Sequence, residues 1–288
     1  MSAYVATKRI LRFFGEHEIA RRRYLRTLVR FMGWQVVSRL RSEVIVDWVG
    51  GARLVVSRGM TGATGNIYCG LHEFADMCFV LHFLKSDDLF IDVGANIGSY
   101  TVLAAKVRGT RCVAIEPAAT TMASLERNVT TNRIGDRVRL VRAAVGSRSG
   151  EVVLTQGLDT MNRVLGNEGE AAGETVPVLP LDVILSDDDP SMIKMDIEGY
   201  ETEALKGAGS TLSKASLRAV LIEDDSPFVR MTLEQAGFQR CSYDPWSRSL
   251  VDRADGGKAH NTLYVRRPHE LVDRLTAAPR VNVLGVEV

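Results

Sequence analysis

Residues 89–105 constrain the fold more than any other stretch of this chain. Leu89-Phe90-Ile91-Asp92-Val93 has the length and apolar character of a buried strand. The run breaks at Gly94, and Ser99-Tyr100-Thr101-Val102-Leu103-Ala104-Ala105 then carries helical character. A strand that turns through glycine into a helix N-terminus brings bare backbone N–H groups up to a ligand. A second apolar run, Cys112-Val113-Ala114-Ile115, ends in Glu116-Pro117. An acidic side chain at that strand tip suits a ribose diol, because a carboxylate accepts two hydroxyl protons.

Two nucleoside cofactors ask for such a unit, and the glycine spacing separates them. A dinucleotide site uses G-x-G-x-x-G, whose middle glycine lets a pyrophosphate approach the backbone. In this chain Asn96 stands where that middle glycine should be, between Gly94 and Gly98. S-adenosylmethionine has no phosphate and does not need the tighter turn. Asn96 could instead hydrogen-bond its amino-acid end. The spacing favours S-adenosylmethionine over NAD.

The rest of the chain repeats the alternation. Strands are predicted near 89–93, 111–116, 137–141, 191–196 and 217–223, with helices near 98–107, 119–131, 200–213 and 227–236. Upstream, Phe74, Met77, Cys78, Leu81 and Leu84 recur at helical spacing. Phe238–Cys241 and Thr262–Val265 read as closing strands. This order predicts an α/β, Rossmann-like fold: a mostly parallel seven-stranded sheet with helices on both faces. An N-terminal helix over 16–32 and a β-hairpin, 44–49 and 53–56 around Gly50-Gly51, precede it. The expected divisions are a basic extension over 1–70, the Rossmann-like domain over 71–270 and a tail over 271–288. Gly166–Gly173 and Arg253–His260 read as polar loops, and Asp159–Arg163 as a stretch that could contact substrate.

A third segment sharpens the reading. Ser191-Met192-Ile193-Lys194-Met195-Asp196 is another buried strand, followed by Ile197-Glu198-Gly199-Tyr200-Glu201. Together with D-V-G-A-N-I-G (92–98), E-P (116–117), A-A-V-G (143–146) and L-D (181–182), K-M-D-I-E-G-Y-E resembles the FkbM family of methyltransferases. Gly70-Leu71-His72-Glu73 and Leu205-Lys206-Gly207-Ala208 extend the likeness over roughly 62–212. Tyr200 departs from it, where the family more often has a small residue. The resemblance implies a class I methyltransferase fold and methylation of hydroxyl groups on sugars, glycolipids or secondary metabolites. It implies that Gly94, Asn96 and Gly98 hold the cofactor's methionine end, that Asp92 orders their turn, and that Glu116 holds the ribose. Arg142 and Ala143 would then lie near the adenine.

Methyl transfer from a sulfonium is an in-line displacement with an excellent leaving group, so acceptor positioning and proton removal remain to be supplied. One solution is a base within ~3 Å of the acceptor hydroxyl, for which Asp196, His72 and Glu198 are the candidates. The other is a divalent cation that lowers the hydroxyl pKa. Asp196 and the pair Glu223-Asp224 end neighbouring predicted strands and could supply the oxygens that Mg²⁺ prefers. Equally, Glu223-Asp224-Asp225 could be a solvated loop with a helix cap before Ser226-Pro227. An N- or RNA methyltransferase and a non-catalytic cofactor-binding module are the competing functions.

Composition narrows the partners. With 45% hydrophobic and 25% charged residues, the chain has the balance of a soluble domain with a sizeable core. Cys69, Cys78, Cys112 and Cys241 lack metal-ligand spacing and are expected as buried thiols in a reducing compartment. No apolar stretch approaches the ~20 residues of a membrane span. Lys8, Arg9 and Arg12 interrupt the apolar start as no signal-peptide core would allow. A cytoplasmic protein is expected. Net charge is only +1, yet residues 1–42 hold ten basic side chains against Glu16 and Glu18, leaving the remainder about −7. That split speaks against a nucleic-acid surface and for one local feature. The basic helix, with Leu25, Leu28, Val29 and Met32 on one face, would pack on the main domain or on a second subunit of a homodimer. Alternatively it would attach peripherally to an anionic inner membrane surface or to an acidic or glycolipid acceptor.

Overall fold

A computed structural model of the chain describes residues 3–155, 173–252 and 261–288. The stretches 159–163 and 253–260 and most of the 166–173 loop lie outside the described residues. The chain opens with helices α1 (Ala3–Glu16), α2 (Glu18–Arg22) and α3 (Tyr24–Leu40). The hairpin β1 (Glu43–Asp47) and β2 (Arg53–Ser57) follows, in antiparallel register from Glu43↔Ser57 to Asp47↔Arg53. Gly50 and Gly51 turn it with positive φ. The predicted helix over 16–32 thus starts as two pieces, parted at Arg23, and runs on to Leu40. His17, between α1 and α2, caps α2: its Nδ1 accepts from the N–H of Ile19 and Ala20, while Nε2 meets the carbonyl of Leu71 at 2.7 Å.

Helices α4 (Thr61–Cys69) and α5 (Phe74–Phe83) lead into β3 (Leu89–Val93), α6 (Ser99–Val102) and β4 (Arg111–Ile115). Next come α7 (Ala119–Asn132), β5 (Val138–Val141), β6 (Ala144–Val145), β7 (Gly150–Thr155), β8 (Gly173–Leu179), α8 (Leu181–Ile184) and β9 (Met192–Met195). The chain continues through α9 (Glu201–Lys206), α10 (Gly209–Ser213), β10 (Ala219–Ile222), α11 (Pro227–Gln235), β11 (Gln239–Asp244), β12 (Ser249–Asp252) and β13 (Thr262–Val265). The α12 helix (Val272–Thr276) and a small hairpin near the end, β14 (Asn282–Val283) and β15 (Val286–Glu287), complete it. The predicted 200–213 helix is divided at Gly207. A Cβ there would stand 2.2 Å from the carbonyl oxygen of Gly146, so only glycine permits this approach.

Among the described residues the main sheet has eight strands, in the order β12-β11-β13-β10-β9-β3-β4-β5. The pairs within β10-β9-β3-β4-β5 are parallel, and those joining β10, β13, β11 and β12 are antiparallel. This is the Rossmann-like arrangement of class I methyltransferases with one more strand than expected. The addition is β12, a short, mostly exposed edge strand whose polar ends give little period-two signal. A separate three-stranded sheet, β6-β8-β7, grows out after β5.

Period-two alternation sorts the side chains of the buried strands onto two faces. Phe90, Cys112, Ala114, Met192, Leu221 and Leu263 enter the core with α5 and α7. Ile91, Val113, Ile193, Val220 and Tyr264 enter the opposite core with α8 to α11. The C-terminal segment packs into the first of these, with Leu271, Leu275, Val281, Val283 and Val288 buried. The N-terminal helices and hairpin share a third cluster, in which Phe14, Trp34, Leu54, Val56 and Tyr68 meet Ile97 of the turn after β3.

Candidate functional site

Strand order reverses beside β3: the chain runs outward to β4 and β5, then returns to lay β9 on the other flank of β3. Ligands of open α/β sheets bind at such a point, beyond the strands' carboxyl ends. The two tips touch. Gly94 has φ +74°, and a Cβ there would lie 1.9 Å from the backbone oxygen of Asp196. Asn96 (φ +53°) and Glu198 (φ +55°) occupy the left-handed region in the two facing turns. Asn tolerates this, whereas Glu does so at a cost of ~1–2 kcal/mol. Strain of that kind concentrates where a turn must present groups to a ligand.

The expectation of bare N–H groups in the glycine turn is corrected. Gly94 and Ala95 both donate to the carbonyl of Ile115 at 3.0 Å. Asn96 donates to Glu116 Oε2 at 3.0 Å, Ile97 to the Oδ1 of Asn96 at 2.8 Å, and Gly98 to the carbonyl of Ala95 at 2.8 Å. The reason is geometric: a turn tight enough to abut Asp196 folds its donors onto β4. Glu116 is buried, and its other oxygen accepts from the N–H of Ala118 at 3.0 Å. Burial raises its pKa to about 7, partly offset by the hydrogen bonds from Ala118 and Asn96. Its own N–H donates to Val141 at 3.1 Å, which sets Glu116 beside the start of Arg142-Ala143. Ala143 is fully buried there, and Arg142 turns outward to pair with Glu174.

Beneath the crevice lies a buried charge cluster. Asp92 and Lys194 are register partners on β3 and β9, on the sheet face that Phe90 and Met192 share. Asp92 Oδ2 accepts from the Thr101 hydroxyl at 2.6 Å, so this carboxylate anchors the helix after the turn and sits below the crevice. Burial raises its pKa, against the pull of Lys194. Lys194 Nζ donates to Asp196 Oδ2 at 2.9 Å and lies 4.8 Å from the Tyr100 ring centroid. Burial alone would lower the Lys194 pKa; Asp196, Asp92 and Glu73 outweigh it and raise it, so the ammonium stays charged. The Tyr100 hydroxyl donates to Glu73 Oε2 at 2.6 Å. Lys194 keeps 4% of its side chain exposed and Asp196 32%, which leaves Asp196 as the member of the pair that reaches the opening.

His72 occupies a different place from the acidic pair. Its ring packs on Phe13 of α1 at 5.2 Å between centroids, over Gly65, where any Cβ would collide with it. The backbone N–H of His72 donates to Asn66 Oδ1 at 2.8 Å, and Asn66 Nδ2 donates to the Ser99 hydroxyl at 3.2 Å. Sequence patterning assigns Tyr100, Asn66 and Ser99 no role in the site. An aromatic side chain two residues past Gly98, in an otherwise small or aliphatic helix, was the available signal for Tyr100.

The Mg²⁺ arrangement is not assembled. Among the described residues no group of three His, Cys, Asp or Glu side chains is placed to hold a metal. Asp224 accepts from both the N–H and the hydroxyl of Ser226, at 2.8 Å each, at the start of α11. Asp225 accepts from the Tyr264 hydroxyl at 2.8 Å and pairs with Arg230 and Arg240. Asp196 already holds an ammonium. Asp224 is thus engaged by Ser226 and Asp196 by Lys194, and among the described residues Asp196, Glu223 and Asp224 are not gathered into a group that could hold the cation.

Comparison with known proteins agrees with the motif positions. The model of the methyltransferase FkbM domain matches residues 92–240, more than half of the chain. The hexuronic acid methyltransferase AglP of Haloferax volcanii is 29% identical over 153 residues, 48% of this chain and 56% of that protein. The chain thus spans little more than half the length of this curated relative. A methyltransferase FkbM from Methylobacillus flagellatus KT shares 22% identity with a TM-score of 0.44, over 63% of this chain and 44% of its own. TYW2 of M. jannaschii, solved in complex with AdoMet, shares 15% identity with a TM-score of 0.42, over 78% and 85% of the two chains. With the 92–240 match running from the β3 turn through the β9 tip to β11, the chain belongs to the FkbM family of methyltransferases.

Proposed function

We propose that the protein transfers a methyl group from S-adenosylmethionine to a hydroxyl of a sugar-containing or secondary-metabolite acceptor. The observation that carries this reading is the contact of Gly94 with Asp196, which sets the glycine turn against the Lys194–Asp196 pair. The turn suits this cofactor in particular. Its N–H groups are already engaged, which disfavours a phosphate, whereas the ammonium end of S-adenosylmethionine needs acceptors. Glu116 accepts one N–H on each oxygen, and a carboxylate offers about four acceptor sites, so capacity remains for ribose hydroxyls. Gly94, Asn96 and Gly98 shape the turn, and Ala143 closes the wall beside Glu116.

When bound, S-adenosylmethionine supplies an electrophilic methyl on a sulfonium. This chain's residues supply position and a proton acceptor. Asp196 takes the acceptor's hydroxyl proton, and Lys194 fixes the carboxylate's direction through the 2.9 Å hydrogen bond. The strained Glu198 turn aims the same segment, and the backbone N–H at His72 holds Asn66 and, through it, Ser99. The name of the AglP relative favours an acidic sugar as acceptor. Labelled-methyl transfer from S-adenosylmethionine to a panel of uronic-acid glycans, neutral glycans and phenols tests the reading. Product label on a sugar oxygen, abolished by D196N, is the expected result. Calorimetric silence with S-adenosylhomocysteine, or label on nitrogen, would overturn it.

A further inference from the structure

The amphipathic character of α3 has an unexpected form: the helix is apolar on two faces. Thr27, Trp34 and Ser38 are buried, and Leu28 and Phe31 pack against the third core cluster. On the outer side Leu25 (77% exposed), Val29 (63%), Met32 (57%), Val36 (59%) and Leu40 (78%) stand in water. Their spacing keeps them in one stripe about 22 Å long. A continuous exposed apolar strip of this kind marks an interaction surface.

Charge decides the partner. Helix α3 carries Arg26, Arg30 and Arg39 and no acidic residue. Arg30 turns inward to the carbonyl of Tyr68, whereas at 3.6 residues per turn Arg26 and Arg39 fall beyond opposite edges of the stripe. Nearby acids have their own cations: Glu16 with Arg12, Glu18 with Arg21 and Glu43 with Arg127. A second copy is a poor occupant. Antiparallel pairing of two α3 stripes sets Leu25 against Leu40 and Val29 against Val36, but brings only basic flanks together, with no acidic residue on α3 to offset them. Parallel pairing has the same lack of an acidic partner. An anionic lipid surface accepts the apolar stripe and neutralises both flanks.

We propose that the outer face of α3 docks in the plane of an anionic bilayer. No helix among the described residues is long and apolar enough to cross one, and the inner face of α3 is committed to the protein core. Through Arg30 on Tyr68 of α4, and Asn66 of α4 on Ser99, the docked helix is linked to the turn at the crevice. The proposal does not depend on the acceptor named above.

Flotation of the full-length protein with vesicles tests it. Phosphatidylcholine vesicles should leave the protein unbound, while those with about one-third phosphatidylglycerol should carry it up at low salt and release it at high salt. The double variant V29D/V36D changes only exposed positions and should keep the wild-type melting temperature while lowering the bound fraction roughly tenfold or more. R26Q/R39Q should weaken binding to anionic vesicles. Failure of the wild type to float with anionic vesicles, or wild-type flotation by V29D/V36D, would overturn the proposal. So would a dimer that V29D/V36D dissociates without any vesicle binding.

Discussion

The tips of β9 and β10 carry the same chemistry in sequence and different duties in the fold. Each buried strand ends in carboxylates, Asp196 on one and Glu223-Asp224-Asp225 on the other, and the strands are parallel neighbours. At the β9 tip a buried ammonium two residues back holds one oxygen of Asp196, and a third of the side chain stays open to the crevice. At the β10 tip Asp224 starts α11 and Asp225 ties Tyr264, Arg230 and Arg240 together. An acidic strand tip becomes available for chemistry only where its neighbours hold it without consuming it. The difference lies in what each carboxylate touches.

The sharpest test exchanges the two acids for amides. Asp196→Asn should cut turnover by about 10²–10⁴ while leaving the affinity for S-adenosylhomocysteine within a few-fold. Asp225→Asn should leave turnover nearly intact and cost about 1–3 kcal/mol in urea unfolding, because Tyr264 and Arg240 lose a charged partner. Equal losses of turnover in both variants would erase the distinction.

Next in size is the cation under the β9 tip. Lys194→Met should destabilise the fold by about 3–5 kcal/mol, since it leaves Asp92 buried beside Glu73 and Asp196 without a compensating charge. Its pKa is raised in the folded state, so the wild type keeps this stabilisation at neutral pH and loses it only in strong alkali. A flat urea midpoint in the variant would mean that the cluster is not coupled. Gly94→Ala should follow. Its Cβ cannot share space with the Asp196 oxygen, and calorimetry with S-adenosylhomocysteine should show affinity reduced by about 100-fold, some 2.7 kcal/mol.

The smallest effect is a pH dependence at the β4 tip. Burial raises the folded pKa of Glu116 to about 7, from an ordinary value of 4.5. Its contribution to stability is therefore fully present below 4.5 and lost as pH rises through about 7, a difference of at most about 3 kcal/mol. Cofactor affinity should move oppositely, rising over the same interval as the carboxylate gains acceptor capacity for ribose hydroxyls. Thermal unfolding and calorimetry of the wild type and Glu116→Gln check both slopes, which the variant should lack.

Much of this was legible in one dimension. Strand-helix alternation, the glycine turn and K-M-D-I-E-G-Y-E each report a local requirement of the backbone or of a buried strand, and such requirements leave a pattern in consecutive residues. Reading β12 was harder because an exposed edge strand needs few apolar positions. The Lys194–Asp92 pairing was invisible for another reason: parity says that each side chain faces one side of its strand, but only the register β3↔β9 says that they meet. Leu25 and Leu28 share one helical face by spacing, and the packing of α3 leaves Leu25 in water while Leu28 meets the edge of the third core cluster.

The sequence by itself determined the parallel core of the sheet, the family and the crevice between two strand tips, because hydrophobic periodicity and glycine conformations are properties of neighbouring residues. Tertiary structure alone decided which carboxylates stay available, where the turn's N–H groups go and which side of α3 meets solvent. Those outcomes depend on contacts between residues far apart in the chain, where burial and hydrogen bonding assign each charged group its partner.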